Sequence, residues 1–478
     1  MRARPFPKPW SLVLWAAWLG ACGGQDDGPA AVLPEVELGA VAGRAIPVLL
    51  ISLDTLRADR ATPWGGAERN SPYLQRLAGE SVVFDDVLTQ SPNTGPSHRS
   101  LFTGQFPHRH GHRYREQLRT PYTMASLLRG SGYRTGAFTG GGWLAPAIGF
   151  DQGFAVFENR NERRSTGPRR GLRGVLPQAR KWLDGLAGDR PWFLFVHTYD
   201  LHCPYWPTPE FRMEFGGDYE PPVDLRTLCG EESFMDLFQP PLADDAALLP
   251  YVSRLYDGGV AMTDGFLESF LEDLRADGTL DRIVLVIASD HGESLGEHRM
   301  VGHNSMWEEQ LRVPLLIRFP DAAHGGTRVA APAMLVDVLP TLLDYLELPV
   351  PPGVQGESLM PSVLAARTTG DRLRVSEYGD LESFRFDGRW KVVIEAGDGA
   401  PRYRLYDLQD DPGELRDLAA DSAHAPRLRE LLDRYHAYRS STRDEDARFR
   451  GTALAAEIAP ELSAELSALG YTGVEEER

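Results

Sequence analysis

Cysteine is scarce in this chain. Three occur in 478 residues, Cys22, Cys203 and Cys229, too few for a scaffold built from disulfides. Long apolar runs are missing beyond the first twenty residues, so no later segment is suited to crossing a bilayer. Positive charge does not dominate. Fifty Lys and Arg against 68 Asp and Glu leave a net charge of −18, which disfavours non-specific nucleic-acid binding. No internal repeat is present, which excludes a solenoid. Hydrophobic content of 42% and charged content of 25% remain, ordinary values for a large globular protein. Its length allows one to three domains.

The N-terminus reads as an address. Arg2, Arg4 and Lys8 precede an apolar run from Trp10 to Leu19, followed by Gly20, Ala21 and Cys22. That is the charged, apolar and small-residue order of an export signal. Leu19-Gly20-Ala21-Cys22 also resembles a bacterial lipobox, which implies a lipid anchor on Cys22 and a place in the bacterial cell envelope, facing periplasm or exterior. The expected organisation is a signal peptide over 1–22, a Gly-, Ala- and Pro-rich tether over 23–45, a catalytic domain over 46–350, a smaller subdomain over 351–445 and a helical tail over 446–478. Export puts Cys203 and Cys229 where either a disulfide or two buried thiols is compatible with the sequence.

Four apolar runs read as buried strands: 46–53, 192–197, 283–288 and 313–318. The first three lead directly into chemistry-bearing residues, namely Asp54, then Asp200 and His202, then Asp290 and His291. Helical patterns over 121–130, 264–276 and 336–346 lie between them, the first with Thr120 as the expected N-cap. Alternating strands and helices predict an α/β fold with a mostly parallel central sheet flanked by helices. Ligands of such folds lie beyond the carboxyl ends of the strands, which is where Asp54, His197, Asp200 and Asp290 fall. The arginine-rich stretch 160–175 reads as a solvated loop. The irregular stretch 205–250 reads as a specificity loop or a surface insertion. Short strands at 390–394 and 403–407 open the smaller α+β subdomain.

Thr94-Gly95-Pro96-Ser97-His98-Arg99-Ser100-Leu101-Phe102-Thr103-Gly104 resembles the sulfatase signature Cys-x-Pro-Ser-Arg-x-x-Leu-x-Thr-Gly. Thr94 stands where the family has the cysteine that becomes formylglycine, and His98 stands where it has arginine. Leu53 to Asp59, Ser289 to His298, Glu308 to Pro314 and Leu405 to Glu414 resemble further family motifs in the family's order. The resemblance covers about residues 46–420 and implies an alkaline-phosphatase-like sandwich. Thr55 replaces the second acid of the first metal motif, and His303 aligns with a family lysine, so the site has fewer cations than usual.

These residues define the expected chemistry. Asp54, Asp290, His291 and the Thr94 hydroxyl make a set for one divalent metal ion, with calcium, zinc and manganese all compatible. Pro96 suits a first helical turn, which puts Thr94 near a helix N-terminus that favours anions. His202 and His303 are expected to contact the ester or protonate its leaving group, and His98 to stand in for the arginine. His197, Asp200 and Arg99 are expected near substrate. The cluster His108, His110 and His112 reads as structural. No formylglycine is expected, because threonine is not the residue that is converted. The resemblance then implies a hydrolase of sulfate, phosphate or phosphonate esters of a small molecule or glycan, working through a covalent threonyl ester. The alternatives are an envelope phosphoethanolamine- or phosphoglycerol-type transferase and a catalytically silent binding protein.

Overall fold

In this computed structural model the described residues run from 43 to 453, except 113–117, 160–170, 187, 189, 228, 230, 365–371 and 398. The signal and lipobox, most of the tether, most of the arginine-rich stretch and residues 454–478 lie outside them. Eight strands make the central sheet: β1 (Val48–Leu53), β2 (Val82–Phe84), β3 (Arg134–Thr139), β4 (Val156–Asn159), β5 (Trp192–Thr198), β6 (Val284–Ala288), β7 (Leu315–Arg318) and β8 (Arg328–Val329). Their order is β8-β2-β7-β6-β1-β5-β3-β4. All neighbours are parallel except the two pairs that β7 makes, with β2 and with β6.

The sheet is sandwiched. Successive residues of β1 point to opposite faces. Val48 and Leu50 join one core with Leu101 and Phe102 of helix Thr94–Thr103. Leu49, Ile51 and Leu53 join the other, with Leu172 and Val175 of helix Leu172–Asp184 and Leu255 and Leu271 of helix Leu248–Ala276. Every residue of β1, β5 and β6 is buried, as strands covered on both faces require.

Two helix expectations are corrected. The helix expected at 264–276 begins at Leu248 and has 29 residues. Gly258 and Gly259, which weaken a helix in isolation, are there for close approach. A Cβ on Gly258 would stand 3.2 Å from the Cβ of Phe215, and one on Gly259 would stand 3.4 Å from Leu201. The helix expected from Pro121 starts at Met124. Its cap is Thr123, not Thr120, because Thr123 and Ser126 bond each other's backbone N–H in a reciprocal box.

Four antiparallel strands, β9 (Arg374–Tyr378), β10 (Leu381–Arg385), β11 (Trp390–Glu395) and β12 (Arg402–Asp407), form the smaller sheet. Helix Ala425–Arg448 lies on it and runs through the expected boundary at 445. Phe384 of β10 stacks on Tyr435 of this helix at 4.2 Å. After the helix, Thr452–Ala453 forms a short strand with Leu118–Arg119 rather than continuing as helix. The smaller sheet shares a core with Leu88, Phe106 and Leu311, which lie outside both sheets. Buried ion pairs also fasten it: Lys391 Nζ lies 2.7 Å from Glu414 and 3.0 Å from Glu308, Arg385 lies 3.2 Å from Glu308, and Arg374 lies 2.7 Å from Asp86. No helix among the described residues is long and apolar enough to cross a membrane.

Candidate active site

Strand register builds the site. Ser52 of β1 lies opposite His197 of β5 on one side and opposite Ala288 of β6 on the other. Asp54 and Asp290 therefore leave the sheet side by side, each two residues beyond that line. The chain turns sharply after Asp54, with Thr55 at φ 60°, a region that β-branched residues avoid. The Tyr256 hydroxyl holds the turn. It donates to Thr55 O at 2.6 Å and accepts from Arg57 N at 2.9 Å. The turn aims Thr55 N at Asp290 Oδ1, 3.2 Å away.

Helix Thr94–Thr103 brings the hydroxyl. Asn93 is its N-cap, Thr94 is its first residue, and all ten residues are buried. Thr94 Oγ1 donates to Asp54 Oδ2 at 3.1 Å and lies 3.4 Å from His291 Nε2. His291 Nδ1–H donates to Gly292 O at 2.9 Å, which leaves the Nε2 lone pair facing the hydroxyl. Ser97 Oγ donates to Asp290 O at 2.7 Å and ties the helix to the end of β6.

The set fits a divalent cation. Asp54, Asp290 and His291 present ligand atoms within 4.8 Å of one another. Asp290 Oδ1 takes the N–H groups of Thr55 and His291, whereas Oδ2 receives no hydrogen bond from a described donor. Burial, and then the neighbouring Asp54, push the Asp290 carboxyl up to about 7. Two adjoining buried carboxyl groups with a lone-paired imidazole are what a hard or borderline cation requires. Burial also pushes the imidazoles of His98, His197 and His291 down to about 4 and that of His303 down to about 3.

The remaining expected residues divide. His202 and His303 meet, with their Nε2 atoms 3.2 Å apart, and the His303 ring lies 4.3 Å from that of His291. His303 Nδ1–H donates to Pro92 O at 2.9 Å. Both histidines are buried, as Thr94 is. His197 Nε2–H donates to Asp54 Oδ2 at 3.2 Å.

Three expected roles differ from the observed contacts. His98 does not offer a free donor in the manner of an arginine. Its Nδ1–H bonds Thr94 O at 2.8 Å and its Nε2 accepts from Ser52 Oγ at 2.9 Å, so it pins the helix to β1. Arg99 is five residues past Thr94 and therefore about 140° around the helix. Its guanidinium donates to the carbonyls of Ile148 and Gly149 and lies over the Phe150 ring. Asp200 accepts from Leu172 N at 2.7 Å and Thr198 Oγ1 at 2.9 Å, a carboxylate at a helix N-terminus. A Cβ on Gly171 would collide with it at 1.6 Å, and Gly171 has φ 65°. His110 bonds Ser100 Oγ and His112 N, a structural place. Cys203 and Cys229 form a disulfide.

The sulfatase family model matches residues 47–348. The chain belongs to the sulfatase family. A second model, the C-terminal region of N-sulphoglucosamine sulphohydrolase, matches residues 296–441. The N-acetylglucosamine-6-O-sulfatase of Bacteroides thetaiotaomicron is 22% identical, over 85% of this chain and 88% of that one. The choline-sulfatase of Rhizobium meliloti is 27% identical, over 78% and 82%. Among solved structures, one bound to its substrate D-glucosamine-2-N,6-O-disulfate superposes with TM-score 0.70 at 20% identity, over 84% of this chain and 99% of that one. The phosphonate monoester hydrolase of Agrobacterium radiobacter gives 0.68 at 22%, over 83% and 96%. This sulfatase is thus an enzyme of the sulfuric ester hydrolase class on an alkaline-phosphatase-like sandwich.

Proposed function

We propose that this sulfatase hydrolyses sulfate esters, with phosphate and phosphonate esters as further substrates, through a covalent ester on Thr94. The observation that carries this reading is the Thr94 hydroxyl, held at 3.1 Å from Asp54 and 3.4 Å from His291 at a helix N-terminus. Asp54, Asp290, His291 and Thr94 would hold one divalent ion, which supplies positive charge to acidify the hydroxyl and offset the ester's anionic oxygens. Asp54 Oδ2 orients the hydroxyl proton, and His197 orients Asp54. Thr94 Oγ1 attacks the sulfur or phosphorus as the leaving alcohol departs toward His202 and His303. The proton that Thr94 Oγ1 gives up is relayed to the departing oxygen across the two facing Nε2 atoms. A threonyl ester has no aldehyde to collapse to, so water cleaves it in a second step.

The N-acetylglucosamine-6-O-sulfatase relative and the structure bound to D-glucosamine-2-N,6-O-disulfate favour sulfated sugars, and we place a sulfated glycan fragment first among candidates. We also propose that Cys22 carries a lipid that anchors the enzyme in the bacterial envelope. Labelled fatty acid incorporated by the wild type and not by Cys22→Ala checks that anchor. The hydrolase reading is tested with aryl sulfate, aryl phosphate and a phosphodiester, each with calcium, manganese and zinc. Thr94→Ala is expected to lose at least about three orders of magnitude in kcat. Full activity in that variant would overturn the nucleophile.

A further inference from the structure

His202 is gripped from two sides. Its Nε2 meets His303, and its Nδ1 lies 3.2 Å from both the carbonyl oxygen and the sulfur of Cys203. That sulfur is not free to turn, because it is bonded to Cys229, 26 residues further on. The intervening segment is itself fastened down. Trp206 lies under the guanidinium groups of Arg212 and Arg226, at 4.3 and 5.5 Å. Arg212 donates to Pro207 O at 2.6 Å, and Phe215 packs where Gly258 leaves room for it. The disulfide therefore ties the imidazole that faces the leaving group to a braced segment beside helix Leu248–Ala276.

We propose that Cys203 and Cys229 are a positioning pair for His202. Their bond fixes the sulfur against Nδ1 and so holds Nε2 in line with His303 and the departing oxygen. Opening the bond lets the Cys203 side chain rotate and leaves the imidazole free to swing out of that line. The inference rests on the hydrolase reading for its catalytic consequence, but not for its geometry.

The test uses the full chain with its divalent ion, as oxidised protein, as protein reduced by a water-soluble phosphine, and as Cys229→Ser. In the reduction the phosphine gains oxygen from water and becomes its oxide, while the two sulfurs gain the two hydrogens. Two substrates are compared, 4-nitrophenyl sulfate, whose leaving group needs no proton, and an alkyl sulfate, whose leaving group does. Opening the bond is expected to lower kcat for the alkyl ester roughly tenfold, a fraction of what a general acid contributes. The nitrophenyl ester should change less than about twofold, with KM unmoved for both. In His202→Ala, reduction should change neither rate, because coupled residues are not additive. The imidazole ¹⁵N resonances of His202 and His303 should shift on reduction whether or not any ester turns over. Unmoved resonances, or an equal loss on both esters that persists in His202→Ala, would overturn the proposal. Shifted resonances in a protein that hydrolyses no ester would uphold the positioning and overturn the hydrolase reading instead.

Discussion

The molecule buries charge deeply in two places and treats it in opposite ways. Where the smaller sheet meets the larger one, Glu308 and Glu414 face Lys391, and Arg385 and Arg374 complete the set with Asp86. Burial works against the charge of both acids, but Arg385 and Lys391 still hold the Glu308 carboxyl below its ordinary range, while burial pushes that of Glu414 up. At the carboxyl end of β1 and β6, the strongest influences on Asp290 are burial, the Asp54 carboxyl and the imidazoles of His98 and His197. The first set carries its own counter-ions and fastens the smaller sheet to the segments packed against it. The second is an acid pair among imidazoles that burial keeps neutral, with ligand atoms close enough together to hold a cation. Buried charge that is answered internally is architecture, and buried charge left open marks the place of a ligand.

Removing one acid from each place separates the two most sharply. Asp290→Asn should cost at least about a hundredfold in kcat and in ion affinity, as loss of a metal-ligating group does. In chelator-treated protein the same change should raise the unfolding midpoint, because a like-charged pair is relieved. A lowered midpoint there would mean the acid pair is structural after all. Lys391→Met should behave in the reverse sense. It leaves Glu308 and Glu414 buried without their shared cation, a loss of about 3–5 kcal/mol in urea unfolding, while kcat per folded molecule holds. Tyr256→Phe probes the link from helix to site. It strips the donor from Thr55 O and the acceptor from Arg57 N, which should cost about 1–3 kcal/mol and weaken ion binding as Asp290 loses its Thr55 contact.

Acid should act through burial. The His110 imidazole is held well below its ordinary 6.5 by burial, then by His112 and Arg99. The folded protein thus binds fewer protons than the unfolded chain below about pH 6.5. Stability must fall as pH drops through that value, by at most about 1.4 kcal/mol per pH unit for this group. His110→Gln should flatten the fall between pH 6.5 and 5, read from thermal midpoints. An unchanged slope would assign it to the other buried histidines.

Much of this was legible before any coordinate. Apolar runs that end in acids placed Asp54 and Asp290 at one sheet edge, because strand length and parallel pairing leave them nowhere else. The contacts of Arg99 follow from rotation about the helix. One residue along a helix is a swing of about 100°, which turns Arg99 toward the carbonyls of Ile148 and Gly149. The start of the long helix at Leu248 was hidden by its glycine pair, whose purpose lies in Phe215 and Leu201. Nothing local announces that Tyr256 shapes the Thr55 turn 201 residues away, or that Asp200 serves the helix at Leu172. Those contacts exist only once the layers are assembled.

Helix Thr94–Thr103 has no side open to solvent, since all ten of its residues are buried. Position 94 is thereby closed to any protein-modifying enzyme once the chain has folded. Modification of this residue by another protein has its opportunity on the nascent chain, before the sheet closes over it.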